Sequence, residues 1–195
     1  MGKSKDFDLK KWFKKHWSNL LFGIFLILML IPATRTPIQV TVNRVFSFSP
    51  SIISEDKQEN LNTFEWQLID LEGNEINLSN SKNEVILINV WATWCPPCIA
   101  EMPSLQELYA DYKDQVDFYF VANDKPEAVK KFLAKHKYNF PVFMQASNAP
   151  NQLQSNSLPT TFLIDKKGNI VVSKTGAANW NSDQFRAKLD ELLGQ

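Results

Sequence analysis

Cysteine is scarce in this 195-residue chain, which has only Cys95 and Cys98. Histidine is equally scarce, with His16 and His136. Two cysteines exclude a scaffold stapled by several disulfides, and the four residues together are poor material for a four-ligand Cys/His zinc site. Net charge is missing as well, because 21 Lys plus Arg meet 21 Asp plus Glu. The balance hides a polarity. Residues 1–17 carry six lysines (Lys3, Lys5, Lys10, Lys11, Lys14 and Lys15) against Asp6 and Asp8, and the rest of the chain is acidic to match. No basic domain suited to nucleic acid remains. Hydrophobic content of 44% with 12% aromatics supplies a core and excludes a disordered polyampholyte. There is no internal repeat and no low-complexity tract. The length suits one domain of roughly 100–150 residues plus an appendage.

What is there begins with an apolar run. Residues 20–31 contain no charge and are interrupted only by Gly23. As a helix, residues 17–33 would reach about 25 Å, slightly short of a ~30 Å hydrocarbon core. Trp12, Phe13 and Trp17 suit a membrane interface, and snorkelling lysines extend the span. Three readings compete: a cleaved signal peptide, a retained anchor, and a buried core helix. Lysines placed first argue against the core helix. The sequence from Pro32 to Pro37 lacks a small-x-small cleavage site, which favours the anchor. No cysteine follows that would accept a lipid. The positive-inside bias then puts the lysines in the cytoplasm and the remainder outside it.

These features divide the chain into a basic cytoplasmic start at 1–17, a transmembrane signal-anchor at 18–33, a juxtamembrane linker at 34–60 and a globular domain at 61–195. Within the linker, Ile38, Val40, Val42, Phe46 and Phe48 alternate as in a strand, while Ile38, Val42, Val45 and Phe46 share a helical face. Periodicity does not choose between them. The domain is more regular. Phe64, Trp66 and Leu68 alternate, a Glu72-Gly73-Asn74 turn follows, and Ile76 and Leu78 resume, which predicts a hairpin. Residues 85–91 are nearly all apolar and rich in β-branching, as in a buried central strand. Helices are expected over 96–112, with Pro103 inside, after Pro126, and after Ser182. Strands are expected at 116–122, 142–144, 160–164 and 170–173. The order predicts an α/β sandwich with a mixed central sheet.

The chemistry concentrates in Trp94-Cys95-Pro96-Pro97-Cys98, where the buried strand hands over to a helix. A cysteine at a helix N-cap faces the positive end of the macrodipole, which favours its thiolate. Cys95 is therefore the expected attacking nucleophile and Cys98 the resolving thiol, their disulfide serving as the redox centre without any other cofactor or metal. Pro96 and Pro97 carry no N–H, so the Cys95 thiolate draws only on Cys98 and later amides. That withholds donors which would make a strong oxidant, and points to a reductant. Half of a zinc site and an inert structural disulfide are the alternatives; no second Cys pair supports the first, and so small a loop stabilises little.

Residues 88–98, Glu101-Met102-Pro103, and Leu158-Pro159-Thr160-Thr161-Phe162-Leu163-Ile164-Asp165 resemble the thioredoxin-like superfamily. More narrowly they are similar to the membrane-anchored TlpA/ResA-type thiol-disulfide oxidoreductases, over about residues 61–195. The resemblance implies a thioredoxin-like sandwich behind one N-terminal transmembrane helix. It implies that Pro159 is a cis-proline facing the cysteine pair, and that Trp94, Leu158, Pro159 and Thr160 meet the substrate. One departure stands out. Thioredoxin has a buried aspartate six residues before its first cysteine, and here that position is Asn89, which does not titrate. The ResA-like pattern suggests Glu101 as the proton acceptor instead, three residues after Cys98 on the same helix face. The competing reading is a solvated first-turn acid.

The function expected is an extracytoplasmic oxidoreductase that keeps substrate thiols reduced, held on a bacterial inner membrane with its domain on the periplasmic side. Its partners would be protein disulfides, with apocytochrome c during haem attachment as the narrower alternative, and an upstream membrane thiol reductant. A peroxidase needs an arginine beside the thiolate. Of Arg35, Arg44 and Arg186, two precede the domain and one lies in the last helix. A non-catalytic binding module on the same fold is opposed by the intact Cys95, Cys98 and Pro159.

Overall fold

The computed structural model describes residues 9–194, so Lys3, Lys5, Asp6 and Asp8 of the basic start lie outside the described residues. The chain divides between Gln39 and Val40 into two compact units. In the first, helix α1 (Leu9–Leu30) contains both the later lysines and the apolar run, and α2 (Pro32–Val45) starts after a break. Thr34 Oγ1 donates to the Leu28 carbonyl across that break. Among the described residues no single helix is long and apolar enough to cross a membrane; α1 and α2 reach that length and composition only as a bent pair. The ambiguous stretch around 38–45 is thus helical rather than extended.

The second unit is built on a seven-stranded mixed sheet. Its strands are β1 (Gln67–Asp70), β2 (Glu75–Asn77), β3 (Ile86–Trp91), β4 (Asp117–Ala122), β5 (Val142–Gln145), β6 (Thr160–Ile164) and β7 (Ile170–Thr175), in spatial order β2-β1-β5-β4-β3-β6-β7. Strands β3, β4 and β5 are parallel, and the rest pair antiparallel. The helices are α3 (Pro96–Tyr112), α4 (Pro126–His136) and α5 (Asp183–Leu193).

Every residue of β3 is buried, because both faces of the sheet are covered. Leu87, Phe120 and Leu163 pack with Met102 of α3, Phe132 of α4 and Phe185 of α5. Their neighbours in the pleat, Ile88, Val121 and Phe162, pack with Trp66, Leu78 and Leu153. Period-two alternation therefore serves two cores, which is why the strand reads as one apolar run.

The segment expected as a free linker behaves differently. Asn179 N donates to Phe48 O at 3.0 Å, Ile53 N to Val171 O at 2.9 Å, and Ile170 N to Glu59 O at 2.8 Å. Residues 48–60 thus run along the domain and cover backbone groups of β7, the exposed edge strand. Polar composition suggested a tether because these bonds use the main chain, which leaves no trace in side-chain pattern.

The β6–β7 turn is held by buried Asp165, whose Oδ1 accepts from Lys167 N at 2.9 Å and Asn169 N at 2.8 Å, and whose Oδ2 accepts from Asn169 Nδ2 at 2.8 Å. Asp165→Ala strands those amides. It is expected to cost about 3 kcal/mol at roughly 1 kcal/mol per lost bond, read as a lower urea midpoint at unchanged slope for the full-length chain in mild detergent.

Candidate active site

Strand β3 ends at Trp91, and the chain reaches α3 within four residues. Cys95 is the N-cap of α3 in extended conformation, with Pro96 and Pro97 in the first turn, where a missing N–H costs no helical bond. A disulfide joins Cys95 to Cys98, with Cα atoms 5.2 Å apart. The Cys98 amide is the first available donor, and it reaches Cys95 Sγ at 3.3 Å. Cys98 is 0% exposed and Cys95 4%. Only Cys95 lines the adjoining cavity of about 540 Å³. The two sulfurs are thus unequal: one borders an entry space, the other lies behind it.

Of the four residues expected to meet the substrate, two line that cavity and two do not. Trp94 and Leu158 line it, and Trp94 is the one large apolar side chain after residue 60 that lies open to solvent. The Leu158–Pro159 peptide bond is cis, and Pro159 is buried. Thr160 is buried one residue further on, its hydroxyl donating to Ser157 O at 2.8 Å, so it braces the loop rather than lining the cavity.

Glu101 departs most from a solvated first-turn acid. It is 1% exposed, in the second turn of α3. Its Oε1 accepts from Asn89 Nδ2 at 2.8 Å; its Oε2 accepts from Trp180 Nε1 at 2.8 Å and Ala178 N at 3.2 Å. Burial raises its pKa to about 7, against the lowering by the Trp180, Asn89 and Ala178 bonds. Asn89 Nδ2 also donates to Thr161 Oγ1 at 2.7 Å, so this side chain holds side chains rather than the backbone groups it could have served. Asn89 Oδ1 is buried without a donor. Sequence reasoning missed Trp180 and Ala178. They lie 79 and 77 positions from Glu101, on a loop whose composition carries no signal of a carboxylate partner.

Sequence reasoning also missed the amide side chains of the cavity, Asn123, Gln145 and Asn156, since a neutral amide announces no chemistry. Arginine is absent from the cavity lining; Arg186 is engaged with Asp111, Asn181 and the Tyr112 ring. Among the described residues no cluster of three or more His, Cys, Asp or Glu is arranged to hold a metal. The arrangement supports two-step thiol–disulfide exchange with a buried carboxyl group behind it.

A sequence profile of the AhpC/TSA family matches residues 58–173. Thiol-disulfide oxidoreductase ResA of Bacillus cereus is 40% identical over 105 residues, 52% of this chain and 61% of that protein. The ResA protein of Halalkalibacterium halodurans is 38% identical over 129 residues, 65% of this chain and 72% of that protein. A Chlorobium tepidum structure assigned as the thiol:disulfide interchange protein DsbE has a TM-score of 0.60 at 26% identity, covering 72% of this chain and 100% of its own. A second structure from that organism, a thiol:disulfide interchange protein of the thioredoxin family, gives 0.58 at 23%, covering 70% and 98%, and speaks to the fold alone.

Because its pKa rises from 4.5 to about 7 on folding, Glu101 holds a proton in the folded chain that the unfolded chain has released. Between those values stability falls as pH rises. At about 1.4 kcal/mol per tenfold change in proton affinity, the loss is about 3 kcal/mol by neutral pH. Subtracting the urea-unfolding free energies of Glu101→Gln from those of the native oxidised chain, from pH 4 to 8, should expose this slope. A flat difference would contradict it.

Proposed function

This chain belongs to the AhpC/TSA family and is a thioredoxin-fold thiol-disulfide oxidoreductase of the ResA type, and from that premise we propose that it works as a reductase of protein disulfides outside the cytoplasm. The observation that carries the reading is the inequality of the two cysteines, Cys95 at the cavity and Cys98 sealed behind it. In the reduced chain, the Cys95 thiolate attacks one sulfur of a substrate disulfide. A Cys95–substrate bond forms, the substrate S–S bond breaks, and the first substrate thiolate leaves. Cys98 then gives up its proton and attacks Cys95 Sγ. The Cys95–Cys98 disulfide forms and the second substrate thiolate leaves and takes up a proton. Two electrons pass to the substrate, so an upstream thiol donor must return them.

Glu101 is the proton acceptor in this scheme. Oε2 already accepts two bonds and Oε1 one, so Oε1 has the open lone pair. A pKa near 7 keeps the carboxylate about half ionised at neutral pH, the condition in which a base is both available and strong enough. The Pro96-Pro97 pair supports the reducing direction, because only the Cys98 amide stands near Cys95 Sγ. Trp94, Leu158 and Pro159 are the substrate-facing group. Apocytochrome c cysteines are one substrate such a reductase would serve.

The first 45 residues support a location. Lysines precede the apolar run of α1, whose Phe22, Ile27 and Leu30 side chains are exposed, as lipid-facing residues would be. We read 18–33, extended by α2, as an uncleaved anchor in the bacterial inner membrane, with the domain on the periplasmic side. Expressed in a bacterium, the full chain should keep its own N-terminus in the membrane fraction, and protease added to the outside should digest the domain. A mature N-terminus near residues 34–38 would defeat the anchor.

The exchange mechanism has its own test. Iodoacetamide should alkylate Cys95 of the reduced chain far faster than Cys98 at neutral pH, and Cys98→Ala should accumulate a mixed disulfide with reduced insulin release. In the native chain, release from that mixed disulfide should accelerate as pH rises through about 7. Glu101→Gln should slow it about 10²-fold or more and remove that limb. Equal alkylation of the two cysteines would reverse their roles.

A further inference from the structure

The loop between β7 and α5, residues 176–182, is bonded to four parts of the domain at once. Gly176 N donates to Pro159 O at 2.9 Å, which ties the start of the loop to the cis-proline. Ala178 N and Trp180 Nε1 donate to Glu101 Oε2, and Trp180 N donates to Ser104 Oγ at 3.3 Å. Asn179 lies between the two residues that hold Glu101, is itself exposed, and donates its N–H to Phe48 O at 3.0 Å. Ser182 Oγ donates to Ser49 Oγ at 2.8 Å, and the same hydroxyl caps α5 by accepting from Phe185 N. Residues 46–50 thus hold the loop as a strap. Pro50 is buried, and Ile52 packs on the core that contains Cys98, Ala178 and Trp180, which fixes the strap's far end.

A cavity of about 210 Å³ adjoins this arrangement, lined by Ala100, Ser104 and Ala178 together with Arg44, Ser47 and Glu107. Ala178 meets the cavity on one side and Glu101 on the other. Ala100 precedes Glu101 in the chain, and Ser104 Oγ donates to the Glu101 carbonyl at 2.8 Å. The cavity at Cys95 has none of these residues in its lining. Arg44 at the end of α2 and Ser47 of the strap supply lining from the strap side, the Ser47 hydroxyl being bonded to Asn43 O at 2.6 Å. The space nearest to the carboxyl group is therefore bounded by the loop and by the strap that holds it.

From this geometry we propose that the strap is a positioning element for Glu101: it holds the loop 176–182 in place, keeps Ala178 and Trp180 on the carboxyl group, and bars water from it. This rests on the reading of Glu101 as proton acceptor and adds the segment that keeps it dry. Phe48 and Ser49 act through the loop and touch no reacting atom. With the strap loosened, the loop lifts, and water from the cavity side reaches Oε2 in place of its two donors. Burial is the largest cause of the raised pKa of Glu101, so hydration lowers it toward 4.5. Charge does not reverse that direction. Lys174 of β7 is the charged side chain that acts on Glu101, Cys98 shares its helix, and Arg44 and Glu107 carry opposite signs at the cavity. Strands β3 and β6 and the loop itself bring no charge. The strap is also the chain that joins α2 to the cysteine-bearing domain, so that connection does more than tether.

The test uses the full-length chain in detergent, with Ser49→Ala and Pro50→Gly combined to remove the side-chain bond and free the strap's backbone. In the oxidised chain, hydrogen exchange at the Trp180 indole N–H, identified by its loss in Trp180→Phe, should rise about tenfold in the variant. Amides of β3 should keep their native rates. Release from the Cys95 mixed disulfide, which in the native chain accelerates as pH rises through about 7, should have its midpoint at about 6 in the variant. Ser49→Thr retains a hydroxyl and should keep the native midpoint. So should Gln58→Ala, which removes a bond to Ile53 O further along the segment without touching the loop. Amides of β3 that accelerate in step with Trp180 would mean general destabilisation and overturn the strap, as would a variant midpoint that stays at about 7 or rises. Unchanged Trp180 exchange overturns the strap alone. A native chain with no limb near 7 overturns the Glu101 base reading beneath it.

Discussion

The arrangement around the cysteine pair depends on a carboxyl group that has been taken out of water. Glu101 sits on α3, its partners on β3 (Asn89) and on the loop before α5 (Ala178, Trp180), and Asn89 carries the connection on to Thr161 of β6. A buried ionised group without partners would cost several kcal/mol, so its three donors are a condition of the fold as well as of the chemistry. They also join four elements that are distant in sequence. The same helix carries the two cysteines at its start. Where α3 lies over the sheet, and therefore where the sulfurs lie, is set partly by a group whose charge changes near neutral pH.

Asn89 shows why the substitution of an amide for an acid suits this arrangement. Two buried carboxylates that close would share charge and push one another's pKa further up. An amide avoids that and offers either polarity. With Glu101 ionised, Nδ2 is the right atom to face Oε1. With Glu101 protonated, rotating the amide puts Oδ1 there as the acceptor, and the Thr161 hydroxyl turns to donate. The present orientation leaves Oδ1 buried without a donor.

Much of the domain was legible in sequence because burial and periodicity determined it. The run at 85–91 could only be a strand covered on both faces, and α3 is announced by Pro96 at its first position. The cysteine pair and Leu158-Pro159-Thr160 were legible as chemistry, being rare residues at meaningful spacing. What escaped reading was made of common residues or of main chain. Residues 48–60 bind β7 through backbone groups, which every sequence has. Glu101 was located as a candidate proton acceptor with a solvated acid as its competitor, and the sequence left the two open because its depth is set by Trp180, 79 positions away, a contact no local pattern encodes. Thr160 was placed with the substrate by its neighbourhood, yet its hydroxyl is turned to the loop.

The two sides of the disulfide are solvated in opposite ways, and the chemistry needs both. Cys98 and Glu101, three residues on along α3, are both buried, and burial pushes the Glu101 carboxyl up to about 7, where it can exchange a proton near neutral pH. In front of Cys95 the cavity lining mixes apolar side chains with the amides Asn123, Gln145 and Asn156 and contains no charged residue. A charged residue in front would shift the Cys95 thiolate and favour one sign of substrate; a wet channel behind would return Glu101 to the ordinary carboxylate range and remove the base. Keeping the titratable group on the buried side and neutral hydrogen-bonding groups on the open side separates proton transfer from recognition.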